Sequence, residues 1–202
     1  CVGSVSYVSK NGILLGALCF NDTPRPEANR TVDELRALGI NRFVMLTGDR
    51  KAAAEAVAKE LAFTEVHAEL LPGDKVDEVE KLLQNRRGKE KVAFVGDGIN
   101  DAPVLTRADI GIAMGSMGSD AAIEAADIVL MDDKVEKIAA VVGISRKTLR
   151  IVKQNIVFAL VIKIGVLALG ALGMATMWEA VFADVGVSVL AILNSMRVLK
   201  EN

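Results

Sequence analysis

The sequence predicts a doubly wound α/β domain with a parallel sheet, followed by a two-helix hairpin apolar enough to cross a membrane. Three observations carry that expectation. Between residues 41 and 131, short apolar runs alternate with helix-length segments, the pattern of a parallel sheet with helices on both faces. Charge is segregated: residues 1–153 hold 44 of the 50 formal charges, whereas residues 154–196 hold three, Lys163, Glu179 and Asp184. That segregation reconciles a mean hydropathy of +0.36 with 25% charged residues. Finally, 24 basic against 26 acidic groups and 4% aromatics give neither the basic face nor the stacking residues of a nucleic-acid binder. Two cysteines and one histidine are too few for a disulfide framework or a four-ligand zinc cluster.

Residues 1–20 alternate apolar and small polar side chains around Asn11-Gly12, the turn dipeptide of a β-hairpin. Such a hairpin needs partner strands, and none precede it. With a start at Cys1 rather than Met, the chain is expected to be a piece whose N-terminal part lies elsewhere. The prolines of Asp22-Thr23-Pro24-Arg25-Pro26 predict a hinge. A helix is expected from about Glu27 to Leu38, stopped by Gly39. Three strand-like runs follow, each closed by a polar motif. Phe43-Val44-Met45-Leu46 ends in Thr47-Gly48-Asp49, the run from Glu65 to Leu70 in Pro72-Gly73-Asp74-Lys75, and Val92-Ala93-Phe94-Val95 in Gly96-Asp97-Gly98-Ile99-Asn100-Asp101. Helices are expected over residues 50–62, on the spacing of Val76, Val79, Leu82 and Leu83, and near 119–126, with further strands at 110–113 and 128–131.

In such a fold, ligands sit beyond the carboxyl ends of the strands, where these motifs fall. The two carboxylates of the Gly96–Asp101 loop suit a hard cation such as Mg²⁺, and its glycines allow backbone N–H groups close to a phosphate. Asp101 also suits the N-cap of the helix that carries Pro103 in its first turn. Thr47-Gly48 offers a hydroxyl and an amide, and Lys75 a point charge, for phosphoryl oxygens. Taken singly, each motif is a weak signal with a structural turn as its alternative; their shared order and strand-end placement favour a site.

In order and spacing, Thr47-Gly48-Asp49, Pro72-Gly73-Asp74-Lys75 and Gly96-Asp97-Gly98-Ile99-Asn100-Asp101-Ala102-Pro103 resemble the phosphorylation domain of P-type ATPases of the haloacid-dehalogenase superfamily. The resemblance covers essentially the whole chain. It implies that Asp97 ligates Mg²⁺, with Asn100 and Asp101 supporting the metal and phosphate site. By the same resemblance Thr47 and Gly48 bind the transferred phosphoryl group, Lys75 neutralises its charge, and Asp49 helps position ATP. Asp22 and Arg25 belong to the hinge returning from a nucleotide-binding domain. The family's nucleophile, in a D-K-T-G-T motif, does not occur in this sequence, so the chain alone is not expected to form a phosphoenzyme.

Residues 156–177 carry Lys163 as their only charge, and 22 residues suffice for the hydrocarbon layer. A second apolar stretch, 180–199, follows a short connection. Basic residues, Arg146, Lys147, Arg150 and Lys153 before the first span and Arg197 and Lys200 after the second, place both ends in the cytoplasm. A buried hairpin of a soluble protein is the alternative. With a turn at 173–176, Lys163 and Asp184 lie at comparable depth and can pair. Asn155 through Lys163, Asp184-Val185-Gly186 and Leu193-Asn194-Ser195-Met196-Arg197 resemble the last two helices of the zinc-, cadmium- and lead-exporting heavy-metal pumps. That resemblance makes Asp184 a transported-ion ligand or its neighbour, and Lys163 its counter-charge. A carboxylate suits a divalent cation better than Cu(I).

The expected layout is therefore the last strands of a nucleotide-binding domain (1–20), a phosphorylation domain (21–133), a stalk helix (134–155) and two spans (156–177 and 178–199). The expected partners are the lipid bilayer and the rest of the pump. A pump for copper or potassium, or a membrane-anchored phosphatase or regulator, are the alternatives.

Overall fold

In the computed structural model, which describes residues 4–20, 23–96, 99–115, 120–132, 134–174 and 176–199, the expected hairpin forms. Asn11 and Gly12 take φ of +52° and +80°, the left-handed pair that a tight two-residue turn requires. Ser4–Lys10 (β1) thereby folds back on Ile13–Phe20 (β2), in register from Ser4↔Phe20 to Lys10↔Ile13 with a bulge at Val8/Ser9. Tyr7, Leu14 and Leu15 stand exposed, so no described residues cover this ribbon.

The chain divides into two compact units, residues 1–139 and 140–202. After the hairpin, the first continues with Ala28–Ala37 (α1), which buries Thr31, Val32 and Leu35. It ends where Gly39 takes φ +82° and the amide of Ile40 reaches back to the carbonyl of Leu35, a glycine-dependent helix stop. Val44–Leu46 (β3) and Glu65–His67 (β4) pair in parallel. The crossover between them is Lys51–Glu60 (α2), which buries only Ala54 and Ala58. Pro72–Gln84 (α3) opens with proline at its first position, where no donor is needed, and Asp74 Oδ2 accepts the Leu71 amide at 2.8 Å. Ala93–Gly96 (β5) leads through a 3-10 turn, Ile99–Asp101, into Ala102–Arg107 (α4). Ile110–Met114 (β6), Asp120–Ala125 (α5) and Ile128–Leu130 (β7) complete the unit.

The core lies where α4 packs on the sheet. Val79, Val104 and Leu105 are fully buried, and Leu105 packs with Ala113 and Ala122 against Phe94 and Val129. Helix and strand approach so closely that a Cβ on Gly111 would lie 2.6 Å from the Leu105 carbonyl oxygen.

The fold class is as expected, with one difference. The parallel sheet stands in two pieces, β3–β4 and β5–β6–β7. Among the described residues β3 pairs only with β4 and β5 only with β6, so each piece ends on an open edge. Ladders this short hold few hydrogen bonds, and helix packing joins the pieces instead. Arg107 Nε donates to Glu80 at 2.6 Å, and Arg86 donates to both oxygens of Asp109 at 2.9 and 2.8 Å.

Glu136–Ala171 (α6) begins in the first unit and forms the first arm of the second; Met177–Ser195 (α7) forms the other. The expected stalk and first span are one uninterrupted helix of 36 residues, about 54 Å long at ~1.5 Å per residue. It stops earlier than the apolar run suggests. Gly173 takes φ +72°, and the amides of Gly173 and Met174 return to the carbonyls of Gly170 and Leu169. Thr176 then caps α7, with both its amide and its hydroxyl donating to Glu179 Oε2. Leu167, Trp178 and Phe182 are each more than 70% exposed, which water would oppose and lipid would not. Both helices are long and apolar enough to cross a membrane.

Candidate functional site

Thr47 follows β3 directly, and its amide donates to the His67 carbonyl at 3.0 Å, extending the β3–β4 ladder by one bond. The chain then turns sharply. Thr47 Oγ1 donates to Asp49 Oδ2 at 2.7 Å and accepts the Asp49 amide at 3.1 Å. This loop rests on the one after β4, through Leu70 N to Thr47 O at 3.0 Å and Glu69 N to Asp49 O at 2.9 Å. A Cβ on Gly48 would lie 3.2 Å from the Leu70 carbonyl oxygen, tight enough to favour glycine. Since Leu71 caps α3, the same contacts bring the first turn of α3, with Lys75, to this end of the sheet.

Lys75 closes the gap to the other sheet piece. Its ammonium donates to Asp101 Oδ1 at 2.8 Å, with the two side chains only 19% and 11% exposed. Asp101 occupies the N-cap position of α4, as expected, but its side chain makes no capping bond. Its backbone is helical (φ −93°, ψ −8°) rather than in the extended conformation from which an N-cap side chain reaches back to the first turn, and the ammonium 26 residues earlier takes the carboxylate instead. A Cβ on Gly96 would lie 2.9 Å from Asp101 Oδ2, so glycine leaves room for that carboxylate at the strand end. Asn100 is exposed beside it. The structure thus gathers Thr47, Gly48, Asp49, Lys75, Asn100 and Asp101 at the carboxyl edge of β3, β4 and β5. Asp97 and Asp22 lie outside the described residues. Arg25 sits just before α1, its carbonyl accepting the Ala28 amide at 2.9 Å. Among the described residues no three His, Cys, Asp or Glu side chains gather as a metal cage. Asp101 Oδ2, the oxygen that Lys75 does not take, lies beside Gly96 and suits a hard cation.

In the second unit, Lys163 Nζ lies 2.8 Å from Asp184 Oδ1, with the side chains 59% and 67% exposed. The pair opens onto a groove lined by Gly170, Ala171, Thr176, Ala180 and Ala183.

Several polar contacts are not visible in the sequence. Asp109 accepts from Lys91 at 2.8 Å, from the Val92 amide at 3.0 Å and from Arg86, and Lys91 above all holds its carboxyl well below the usual carboxylate range. Arg42, 2.7 Å away, and His67 hold Glu65 below its ordinary value, while His67 also faces Glu78 at 3.4 Å. Asn155 joins α6 to α7 through Ala191, Asn194 and Ser195. Asn155, Asn194 and Ser195 stand in the motifs that carry the resemblance, but nothing in the sequence shows that they bond to one another.

A family model described as haloacid dehalogenase-like hydrolase matches residues 4–109. Over 198 residues the chain is 54% identical to the cadmium, zinc and cobalt-transporting ATPase of Bacillus subtilis, covering 98% of this chain and 28% of that protein. It is 52% identical to the zinc-transporting ATPase of Synechocystis, covering 98% and 27%. Its structure is similar to the crystal structure of a zinc-transporting PIB-type ATPase in the E2·Pi state, with a TM-score of 0.87, 42% identity and coverage of 98% and 32%. The chain therefore spans between a quarter and a third of the length of these relatives.

Proposed function

The chain belongs to the haloacid dehalogenase-like hydrolase family, and from that premise we propose that it is the phosphorylation domain and last two spans of an ATP-driven divalent heavy-metal exporter. What supports this reading most is a single combination. Three phosphate- and cation-suited motifs meet at one strand edge, in a chain whose apolar hairpin also holds a lysine–aspartate pair.

At the strand edge, the Thr47 hydroxyl turns from Asp49 towards a phosphoryl oxygen, and the Gly48 amide supplies a second donor. Asp49, released, is free to help position ATP. Lys75 offsets negative charge on the phosphoryl group and keeps Asp101 oriented through the 2.8 Å contact. Asp101 and Asp97 would hold Mg²⁺, which when bound polarises the phosphoryl oxygens. Asn100 orients that acidic loop. Asp22 and Arg25 act at the hinge towards the nucleotide-binding part. The aspartate that accepts the phosphoryl group belongs to the rest of the pump, on a strand that would occupy the open edges of β3 and β5.

In the hairpin, Asp184 is the carboxylate for Zn²⁺, Cd²⁺ or Pb²⁺, and Lys163 is a tethered cation that replaces the metal on Asp184 as it leaves. The two helices cross the cell membrane, with residues 1–155 and the C-terminus cytoplasmic. The test is zinc-stimulated ATP hydrolysis by the full-length protein. Zinc should stimulate hydrolysis and acid-stable phosphorylation, and Lys163→Ala should abolish the stimulation. Undiminished stimulation in that variant would overturn the role given to the pair.

A further inference from the structure

The second unit holds a polar cluster that the proposed transport chemistry does not use. Asn155 Nδ2 donates to the Ala191 carbonyl at 3.1 Å and to Ser195 Oγ at 3.0 Å, and Asn155 Oδ1 accepts from Asn194 Nδ2 at 2.7 Å. Arg197 donates in turn to Asn194 Oδ1 at 2.9 Å, and Ser195 Oγ to the Ala191 carbonyl at 2.8 Å. Both amide hydrogens of Asn155 are used, and both side-chain carbonyls already accept a bond. The cluster is therefore built as a link between helices rather than as a set of waiting ligands.

This cluster and the Lys163–Asp184 pair both link α6 to α7 through polar side chains. Asp184, Ala191 and Ser195 stand at i, i+7 and i+11, within roughly 20° of one line along α7. Asn155 precedes Lys163 by eight residues, roughly 12 Å of helix. Two such tethers on one antiparallel pair fix both the sliding and the rotation of α7. Rotation by a single residue, about 100°, would carry Asp184 off Lys163. Apolar packing alone does not prevent this, because α7 is apolar nearly all round and slides between equivalent contacts. In hydrocarbon, interhelical amide bonds are the specific glue.

We propose that Asn155 and Asn194 are positioning residues, a clasp that sets the register of α7 on α6 and so delivers Asp184 to Lys163. The role of that pair in transport rests on the proposed function; the register itself does not.

The experiment uses the full-length protein in membranes, with Lys163→Cys and Asp184→Cys introduced, other reactive cysteines removed, and a short bifunctional thiol crosslinker. Asn155→Leu and Asn194→Leu should each lower the crosslinking yield about threefold, the scale of one interhelical hydrogen bond. Because the two residues act as one clasp, the double variant should lower it little further. Ser195→Ala, which removes a single acceptor, should give a smaller loss of the same sign and serves where the leucine variants fail to reach the membrane. Unchanged yields, or independent additive losses, would overturn the clasp. With the native pair restored, Asn155→Leu should raise the zinc concentration for half-maximal ATP hydrolysis about threefold while leaving the KM for ATP unchanged. A purely structural defect would move both. If crosslinking falls as expected but zinc does not stimulate even the parent protein, the clasp stands and the pump reading fails.

Discussion

Two lysine–aspartate pairs, each closed at 2.8 Å, sit in opposite surroundings. Lys75 and Asp101 are 19% and 11% exposed, held between a helix and a strand end that the first unit's own core has fixed. Lys163 and Asp184 are 59% and 67% exposed on a hairpin that buries almost nothing. The first pair is preorganised by its own unit: both ions are largely out of water, so each depends on the other. The second is brought together by helix register alone and awaits surroundings that these two helices do not supply. One pairing chemistry is thus enclosed by the local fold in the first unit and left open on the helix pair in the second.

The largest expected effect breaks the finished pair. Lys75→Ala leaves Asp101 with an unpaired, largely buried carboxylate, at a cost of about 3–5 kcal/mol. In the full-length protein it should also lower ATP hydrolysis about 100-fold or more. Thermal unfolding and turnover measured on the same sample check both. Hydrolysis within a few-fold of the parent would mean that the strand-edge site does not use this lysine.

Glycine substitutions sharpen the contrast. Gly111→Ala forces a Cβ to 2.6 Å from a backbone oxygen and should destabilise by about 1–3 kcal/mol in denaturant unfolding. Gly165→Ala, with nothing within 4 Å, should leave that hairpin unstrained in isolation. Any loss it causes in the full-length protein would locate a neighbouring helix against that face.

A smaller effect depends on pH. Lys91, the Val92 amide and Arg86 hold the Asp109 carboxyl below its unfolded value of about 3.9. A depressed folded pKa gives stability that is present above the unfolded value and lost as pH falls through the folded one. The stability gap between the native protein and Asp109→Asn should therefore be widest near neutral pH and narrow on acidification below about pH 4. Hydrogen exchange of the β5 and β6 amides reads this directly, and a gap that widens in acid would contradict the assignment.

Most strands and helices of the first unit could be read from the sequence because their signals are local. Asn11-Gly12, Gly39 and Pro72 announce a turn, a stop and a start, and alternating apolar runs announce the parallel pairing. What the sequence could not show lies in contacts between distant residues. The Asp101 carboxylate looks like a helix cap until Lys75, 26 residues earlier, proves to be its partner. Asn155 finds Asn194 across 39 residues, and Asp109 gathers Arg86 and Lys91 from a different segment. The separation of the sheet into two pieces was hidden for a related reason: apolar runs show that strands exist, not which strand lies beside which. The Lys163–Asp184 contact was legible because a short turn makes depth in one helix predict depth in the other.

The open edges of β3 and β5 have a practical consequence. Unpaired strand edges are adhesive, since each presents a row of unsatisfied N–H and C=O groups to any chain that comes near. Expressed by itself, this polypeptide should self-associate through them even with its hairpin in detergent. A synthetic strand of matching alternation should compete for those edges and restore a monodisperse species. The same adhesiveness makes the chain a natural half of a split-protein system, in which the complementary half reports its arrival by dissolving the aggregate.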